Sequence, residues 1–173
     1  MKNTKKLAIL GMMIALHIIL NSVATIPTPM NRFGPSFLVM ALSGGLFGPG
    51  GGAVVGGLSD FIRANAMPQG GNYFPGFTLT SIIAGLIYGF FLYNKEPKAW
   101  RIACASLLVD LVPNFLINSY WLSMLRGITY TQSLYMRLVP AVFQAQLKLI
   151  IMLIVYPKLY ELTKKKLLKD GYR

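Results

Sequence analysis

Long stretches without a charged side chain make up most of the first half of the chain. Residues 7–31, 33–59 and 64–94 contain no Asp, Glu, Lys or Arg. A helix of about 20 mostly apolar residues crosses the hydrocarbon core of a bilayer, which is about 30 Å thick. Each stretch is long enough to do so, and the pattern therefore predicts membrane-spanning helices.

Glycine and proline divide these stretches into shorter elements. Residues 48–52 are four glycines and Pro49, and such a run does not continue a helix. Further breaks are predicted at 68–72 and 94–98. The predicted fold class is an all-α integral membrane protein, a single membrane domain (1–173) with six transmembrane helices in one bundle. The predicted helices cover residues 7–26, 34–47, 52–67, 75–94, 99–124 and 133–163.

The composition agrees with a membrane protein and excludes several other classes. Hydrophobic residues make up 54% of the chain and charged residues only 13%. This charge is too sparse for a disordered chain or a basic nucleic-acid-binding domain. Cys104 is the single cysteine, so a scaffold of internal disulfides is excluded.

The positions of the basic residues predict the orientation in the membrane. Twelve of the 17 Lys and Arg residues are predicted on one side, namely Lys2, Lys5, Lys6, Lys95, Lys98, Arg101, Lys158, Lys164, Lys165, Lys166, Lys169 and Arg173. The opposite helix ends and connections carry Arg32, Arg63, Arg126 and Arg137. The positive-inside rule then predicts that both termini are cytoplasmic. An alternative is a cleaved secretory signal, because residues 22–24 resemble a cleavage site.

Polar residues inside the predicted spans indicate a shared site. An ionisable group at membrane depth is costly, so it is expected to face a cavity or a partner. One face of the fifth predicted helix carries Asp110, Asn114, Asn118 and Trp121, and one face of the sixth carries Arg137, Ala141, Gln144 and Lys148, so each helix has a mostly polar stripe. The stripes predict a hydrophilic ligand site, and the alternative is that these groups only pair with one another between helices.

The predicted outer connections combine aromatic rings with arginine. The rings at or near their edges are Tyr73, Phe74, Phe77, Trp121, Tyr130 and Tyr135. Aromatic walls and guanidinium groups suit a flat heteroaromatic ligand that carries a carboxylate. The alternative is an aromatic belt at the membrane interface.

Small residues form two candidate packing surfaces. Ala8, Gly11 and Ala15 share a face of the first helix, and Gly52 and Gly56 share a face of the third. Such spacing lets helices approach closely. Either surface can pack within the chain or dock a partner.

Several motifs together resemble a known family. They are the Lys-rich start with Gly11 and Ala15 behind it, Leu46-Phe47-Gly48-Pro49, Gly56-Gly57-Leu58-Ser59-Asp60, Tyr73-Phe74-Pro75-Gly76-Phe77-Thr78-Leu79 and Asn118-Ser119-Tyr120-Trp121-Leu122-Ser123. In these the chain resembles the substrate-binding S component of an energy-coupling factor (ECF) vitamin transporter, and within that family the folate branch. The resemblance extends over nearly the whole chain.

The resemblance implies a partner complex in a bacterial cell membrane. Such an S component binds its vitamin from outside and docks through the first helix on a transmembrane coupling protein, the T component, which carries two ATPase subunits. The implied docking residues are Ala8, Gly11 and Ala15, where Gly11 departs from the family's Ala-x-x-x-Ala. The chain lacks a Gly-x-x-x-x-Gly-Lys-Ser/Thr sequence, so ATP is used by the partners only. Membrane lipid is an expected partner, and no cofactor, metal or nucleic-acid partner is expected.

For folate the resemblance implies a site with two chemically different ends. Acceptors for the pterin N–H groups are Asp60, Asn114 and Asn118, and rings against it are Trp121, Tyr73 and Phe77. Cations for the glutamate carboxylates are Arg32, Arg126, Arg137 and Lys148, and Gln144 completes the candidate binding residues. An internal pair between Asp60 and Arg63, three residues apart, is the alternative for that carboxylate.

Other functions stay open or are disfavoured. An S component for pantothenate or riboflavin is the nearest alternative, and a small oligomeric channel or facilitator is an alternative of another class. An enzyme is not expected, because His17 is the only histidine and no Gly-x-Ser-x-Gly occurs.

Overall fold

In a computed structural model the chain is a helical bundle, and the structure describes residues 2–27, 32–66 and 74–169. The elements are α1 (Lys2–Val23), β1 (Ile26–Pro27), β2 (Arg32–Phe33), α2 (Ser36–Ala66), α3 (Pro75–Leu92), α4 (Ala99–Val109), a π-helical segment (Asp110–Ile117), α5 (Asn118–Arg126) and α6 (Tyr130–Lys169). Five stretches within the described residues are helical, long and apolar enough to cross a membrane, with α4 to α5 counted as one. The predicted helical fold is confirmed, and the two-residue strands β1 and β2 are a departure from it.

α2 reverses direction at Gly48. The backbone there has φ 81° and ψ −174°, a conformation that glycine adopts without strain. A Cβ placed on Gly52 would lie 3.2 Å from the Cα of Gly44. Residues eight apart in a straight helix are separated by about 12 Å. The two arms of α2 on either side of Gly48 therefore lie against each other.

α3 packs against both arms of α2 through glycine. A Cβ on Gly52 would collide with the carbonyl oxygen of Gly85, and a Cβ on Gly44 would lie 2.8 Å from the backbone nitrogen of Gly89. Gly56 meets the carbonyl oxygen of Ser81 in the same way. The small-residue surface of Gly52 and Gly56 is therefore used inside the chain, which allows backbones to approach closely.

Two apolar clusters hold the bundle together. The larger joins α2, α3, α4 and α6, and its most deeply buried side chains include Tyr88, Ile102, Met152 and Tyr156. The smaller cluster places Met13 of α1 against α2. The first helix thus packs against α2.

The helix predicted over 99–124 contains a π-helical segment that the sequence pattern did not predict. Pro113 lies inside it and has no N–H to donate. At its end the backbone N–H of Asn118 donates to the carbonyl oxygens of Pro113 and Phe115, not to that of Asn114 as in an α-helix. The first helix also ends at Val23, earlier than predicted, because the β1–β2 hairpin begins at Ile26.

Candidate ligand-binding site

Trp121 of α5 lies over the first turns of α3. Its indole Nε1 donates to Thr80 Oγ1 at 3.2 Å, and that hydroxyl donates to the carbonyl oxygen of Gly76 at 2.9 Å. A Cβ on Gly76 would come within 2.6 Å of the indole. The glycine therefore lets the ring lie directly on the helix backbone, and Thr80 fixes the ring's orientation.

A row of aromatic rings extends from Trp121 in both directions. On the α3 side, the centroid of Phe74 lies 5.5 Å from that of Trp121 and 5.8 Å from that of Phe77. On the other side, Tyr120 lies 5.2 Å from Trp121 and 6.2 Å from Tyr130. Tilted and edge-to-face pairs at these distances are mutually stabilising. The structure thus brings Phe77 and Trp121 into one aromatic wall.

Not every ring predicted near this wall belongs to it. Tyr135 is 75% exposed on α6, so it lies on the outer surface of the bundle, where an interfacial ring is expected. Tyr73 lies outside the described residues.

Asn118 lies on the same helix as Trp121 and carries a side-chain acceptor that no described residue uses. Its side-chain Oδ1 is buried and has no hydrogen-bond partner among the described residues. Asn118 and Trp121 are three residues apart on α5, so their side chains share a face. A buried amide oxygen without a partner is costly, and a ligand with an N–H group would remove that cost.

Arg137 of α6 is bound by the chain's own polar groups. It is 3% exposed, and its Nη1 and Nη2 donate to Ser119 Oγ at 3.1 Å and to the carbonyl oxygen of Asn114 at 2.9 Å. Ser133, also on α6, donates to the carbonyl oxygen of Ser119 at 3.0 Å. These bonds join α6 to the π-helical segment and α5.

Asp110, Asn114 and Lys148 form an interhelical group. Asp110 Oδ1 accepts from Asn114 Nδ2 at 2.9 Å and from Lys148 Nζ at 2.5 Å. The ammonium group also lies 5.4 Å from the ring centroid of Phe37. Lys148 and Asp110 therefore pair between helices, as the alternative interpretation of the stripes expected, and Asn114 bonds to Asp110 within the π-helical segment. Asp110 Oδ2 is buried without a partner among the described residues.

Asp60 is held on α2 by two donors. Arg63 Nη2 lies 3.0 Å from its Oδ1, and Thr78 Oγ1 of α3 donates to its Oδ2 at 2.9 Å. Asp60 is 6% exposed. The internal pair with Arg63, which the spacing of three residues had indicated as the alternative, is therefore formed, and the carboxylate joins α2 to α3.

The remaining candidates lie at the edge of this region or apart from it. Arg126 is exposed at the last turn of α5, and Gln144 is half-buried on α6. Arg32 is in β2, where Pro27 is its partner on β1, but its side chain lies outside the described part of the chain.

The small-residue face of α1 is exposed, whereas that of α2 is covered by α3. Ala8, Gly11 and Ala15 are all exposed. Among the described residues, nothing outside the helix's own backbone lies within 4 Å of the position a Cβ would take on Gly11. This face is therefore open in the isolated chain.

Sequence reasoning missed two residues of the region, Thr80 and Ser119. Both are buried hydroxyls, and each accepts from a large side chain of another helix. The available signal is weak, because a single Ser or Thr in an apolar helix most often bonds to its own backbone.

Comparison with known proteins agrees with this fold. Residues 5–160 match the family model described as "ECF transporter, substrate-specific component". Two curated relatives are each called "Folate transporter FolT". That of Clostridium novyi is 36% identical over 127 residues, 73% of both chains, and that of Leuconostoc mesenteroides is 32% identical over 124 residues, 71% of this chain and 66% of the relative. The crystal structure of FolT bound with folic acid has a TM-score of 0.81 at 30% identity, covering 91% of this chain and 93% of that one.

Proposed function

The chain belongs to the family of ECF transporter substrate-specific components, and from this premise we propose that it is the folate-binding subunit of an ATP-driven vitamin importer. Two relatives that bear the name folate transporter, and the fold shared with a FolT bound to folic acid, support folate as the vitamin. The protein spans the membrane several times and acts as a transporter subunit, not as an enzyme.

One observation carries the assignment of the pterin end. Trp121 of the aromatic wall shares a face of α5 with Asn118, whose buried Oδ1 has no hydrogen-bond partner among the described residues. A pterin is flat and carries adjacent N–H donors, so it can lie against the rings while it donates to an amide oxygen. This combination suits folate better than a vitamin without a ring, such as pantothenate.

The glutamate end of folate needs cations. Arg126 is exposed at the end of α5, five residues beyond Trp121, and is the candidate to meet these carboxylates as they reach the site from outside. Arg32 is the second candidate, because it lies on the β1–β2 hairpin, which follows the C-terminal end of α1 on the predicted outer side of the membrane.

Transport itself requires partners. The reversal of α2 at Gly48 supports six crossings, and with six crossings the basic termini lie together in the cytoplasm. The open face of Ala8, Gly11 and Ala15 on α1 is the surface for the T component, through which two ATPase subunits drive uptake.

The direct test is isothermal titration of the detergent-purified protein with folic acid, with riboflavin and pantothenate as controls. We expect one-to-one binding of folic acid alone. Asn118→Leu should weaken binding at least about tenfold, since it removes the acceptor at similar volume. Asn65→Leu is the matched control, because this exposed amide donates within α2. Binding of a control vitamin instead would retain the S component and reject folate; no binding by folded protein would favour a channel.

A further inference from the structure

In the π-helical segment, the backbone carbonyl of Asn114 does not accept the hydrogen bond of an α-helix and is bound by Arg137 instead. In an α-helix the N–H of Asn118 would donate to the carbonyl of Asn114. Here it donates to the carbonyls of Pro113 and Phe115. The carbonyl oxygen of Asn114 instead accepts from Arg137 Nη2 at 2.9 Å. A guanidinium bond to a carbonyl in a buried setting is a strong hydrogen bond, so it favours the π-helical register over the α-helical one.

The second bond of Arg137 holds the residue next to Asn118. Nη1 donates to Ser119 Oγ at 3.1 Å, and Ser133 of α6 donates to the carbonyl oxygen of the same serine at 3.0 Å. Arg137 therefore holds the backbone at Asn114 and the side chain at Ser119, on either side of Asn118 along the chain.

The register decides where Asn118 points. A π-helical turn accommodates about one residue more than an α-helical turn, and one residue corresponds to about 100° of rotation around an α-helix. Loss of the π-helical register would turn the side chains that follow it relative to α4. Asn118 and Trp121 both lie on α5 and would turn together, so Trp121 would leave Thr80 of α3, and Asn118 Oδ1 would leave the buried position in which it has no partner in the described part of the chain.

We propose that Arg137 is a positioning residue: it holds the π-helical register through Asn114 and Ser119, and so directs Asn118 toward the pterin. The inference rests on the proposed function and replaces the expectation that Arg137 binds the glutamate carboxylates. Its two terminal nitrogens already donate to the chain, and the side chain is 3% exposed.

The test compares folic acid with pteroic acid, which has the pterin and the benzoate ring but no glutamate. Binding of folic acid to the wild type is measured first, so that failure of the proposed function is recognised separately. Arg137→Gln should weaken binding of both ligands by the same factor, about 10-fold to 100-fold. Arg126→Gln is the contrast, with a loss for folic acid and little change for pteroic acid.

Arg137→Lys distinguishes a positioning role from a carboxylate-binding role, because only the second needs no more than a positive charge. Lysine retains the positive charge but lacks the planar fork that reaches two acceptors. A positioning role predicts that both ligands lose affinity equally in this variant. A carboxylate-binding role predicts that the preference for folic acid over pteroic acid survives in the lysine variant and is lost in the glutamine variant, and this result would overturn the inference.

A double-variant cycle tests whether Arg137 acts through Asn118. In the Asn118→Ala background, Arg137→Gln should weaken binding by a smaller factor than it does in the wild type, because the part of the loss that acts through Asn118 is already absent. Additive losses would contradict the proposal. If Arg137→Gln does not fold, Ser119→Ala removes one acceptor and leaves the arginine in place. It should weaken both ligands equally, and unchanged affinity in that variant would also reject the positioning role.

Discussion

Lys148 Nζ and Asp110 Oδ1 lie 2.5 Å apart and join α6 to the π-helical segment. The two side chains are 15% and 13% exposed, so the pair is largely withdrawn from water. Asn114 donates to the same carboxylate oxygen at 2.9 Å. Within the membrane, two opposite charges that neutralise each other cost much less than either one alone.

Removal of one charge should therefore destabilise the bundle. Lys148→Met leaves Asp110 without its cation, and we expect a loss of about 3 kcal/mol or more in the free energy of unfolding. The double variant Asp110→Asn with Lys148→Met should recover most of the loss. Unfolding by denaturing detergent, followed by circular dichroism, measures both.

The exposed pair of Lys98 and Glu96 provides the control for this experiment. Its atoms are 3.8 Å apart, and the side chains are 57% and 82% exposed. Lys98→Met should change stability by less than about 1 kcal/mol. Equal effects of Lys98→Met and Lys148→Met would show that the pair between α6 and the π-helical segment has no special role.

The two tryptophans should differ in their effect on binding. Trp121→Ala removes the centre of the aromatic wall and should weaken folic acid binding by about 100-fold or more. Trp100, 59% exposed on α4, is the matched control, and Trp100→Ala should leave affinity unchanged. Thr80→Val should cause a smaller loss of affinity, since it removes the hydrogen bond that orients the indole of Trp121 but leaves the ring in the site. Titration calorimetry measures the affinity of the three variants for folic acid. Equal losses of affinity from Trp121→Ala and Trp100→Ala would contradict the assignment of Trp121 to the ligand site.

A large side chain on the open face of α1 should separate binding from transport. Gly11→Leu should leave folic acid affinity unchanged, because nothing outside the helix's own backbone lies near this position in the described chain. Leucine also favours a helix more than glycine does. Uptake of labelled folic acid by cells that co-express the coupling subunits should be lost, whereas Gly11→Ala should retain it. Full uptake by the leucine variant would exclude this face as the docking surface.

Two glycines near the reversal of α2 should respond oppositely to alanine. At Gly52 a Cβ would collide with the carbonyl oxygen of Gly85, so Gly52→Ala should prevent folding or strongly lower thermal stability. At Gly50 no described atom outside the local backbone lies within 4 Å of the new Cβ, so Gly50→Ala should be neutral or slightly stabilising. Fluorescence-detected size exclusion after heating compares them, and a stable Gly52→Ala protein would contradict the close contact of α2 and α3.

Properties of single residues and short runs could be predicted from the sequence. The charge-free stretches predicted a membrane protein, and the glycines around Pro49 predicted a break where Gly48 has positive φ. The Phe-Pro-Gly-Phe and Asn-x-x-Trp runs pointed to the family and to Trp121. The membrane character and the break at Gly48 could be predicted because hydrophobic length and glycine's backbone freedom act locally, whereas the binding role of Trp121 stays a prediction.

Residues with the same local pattern have different contacts, and only the tertiary structure decided which contacts each one makes. Small residues at helical spacing occur on α1 and on α2, yet the face of Gly11 is open while Gly52 lies against α3. Asn114 and Asn118 are one turn apart, yet the first bonds to Asp110 and the second retains a buried oxygen without a partner in the described part of the chain. Within the π-helical segment, the carbonyl oxygen of Asn114 accepts from Arg137, which is 23 residues away in sequence. Contacts between distant residues depend on how the helices pack, and no local pattern of spacing contains that information.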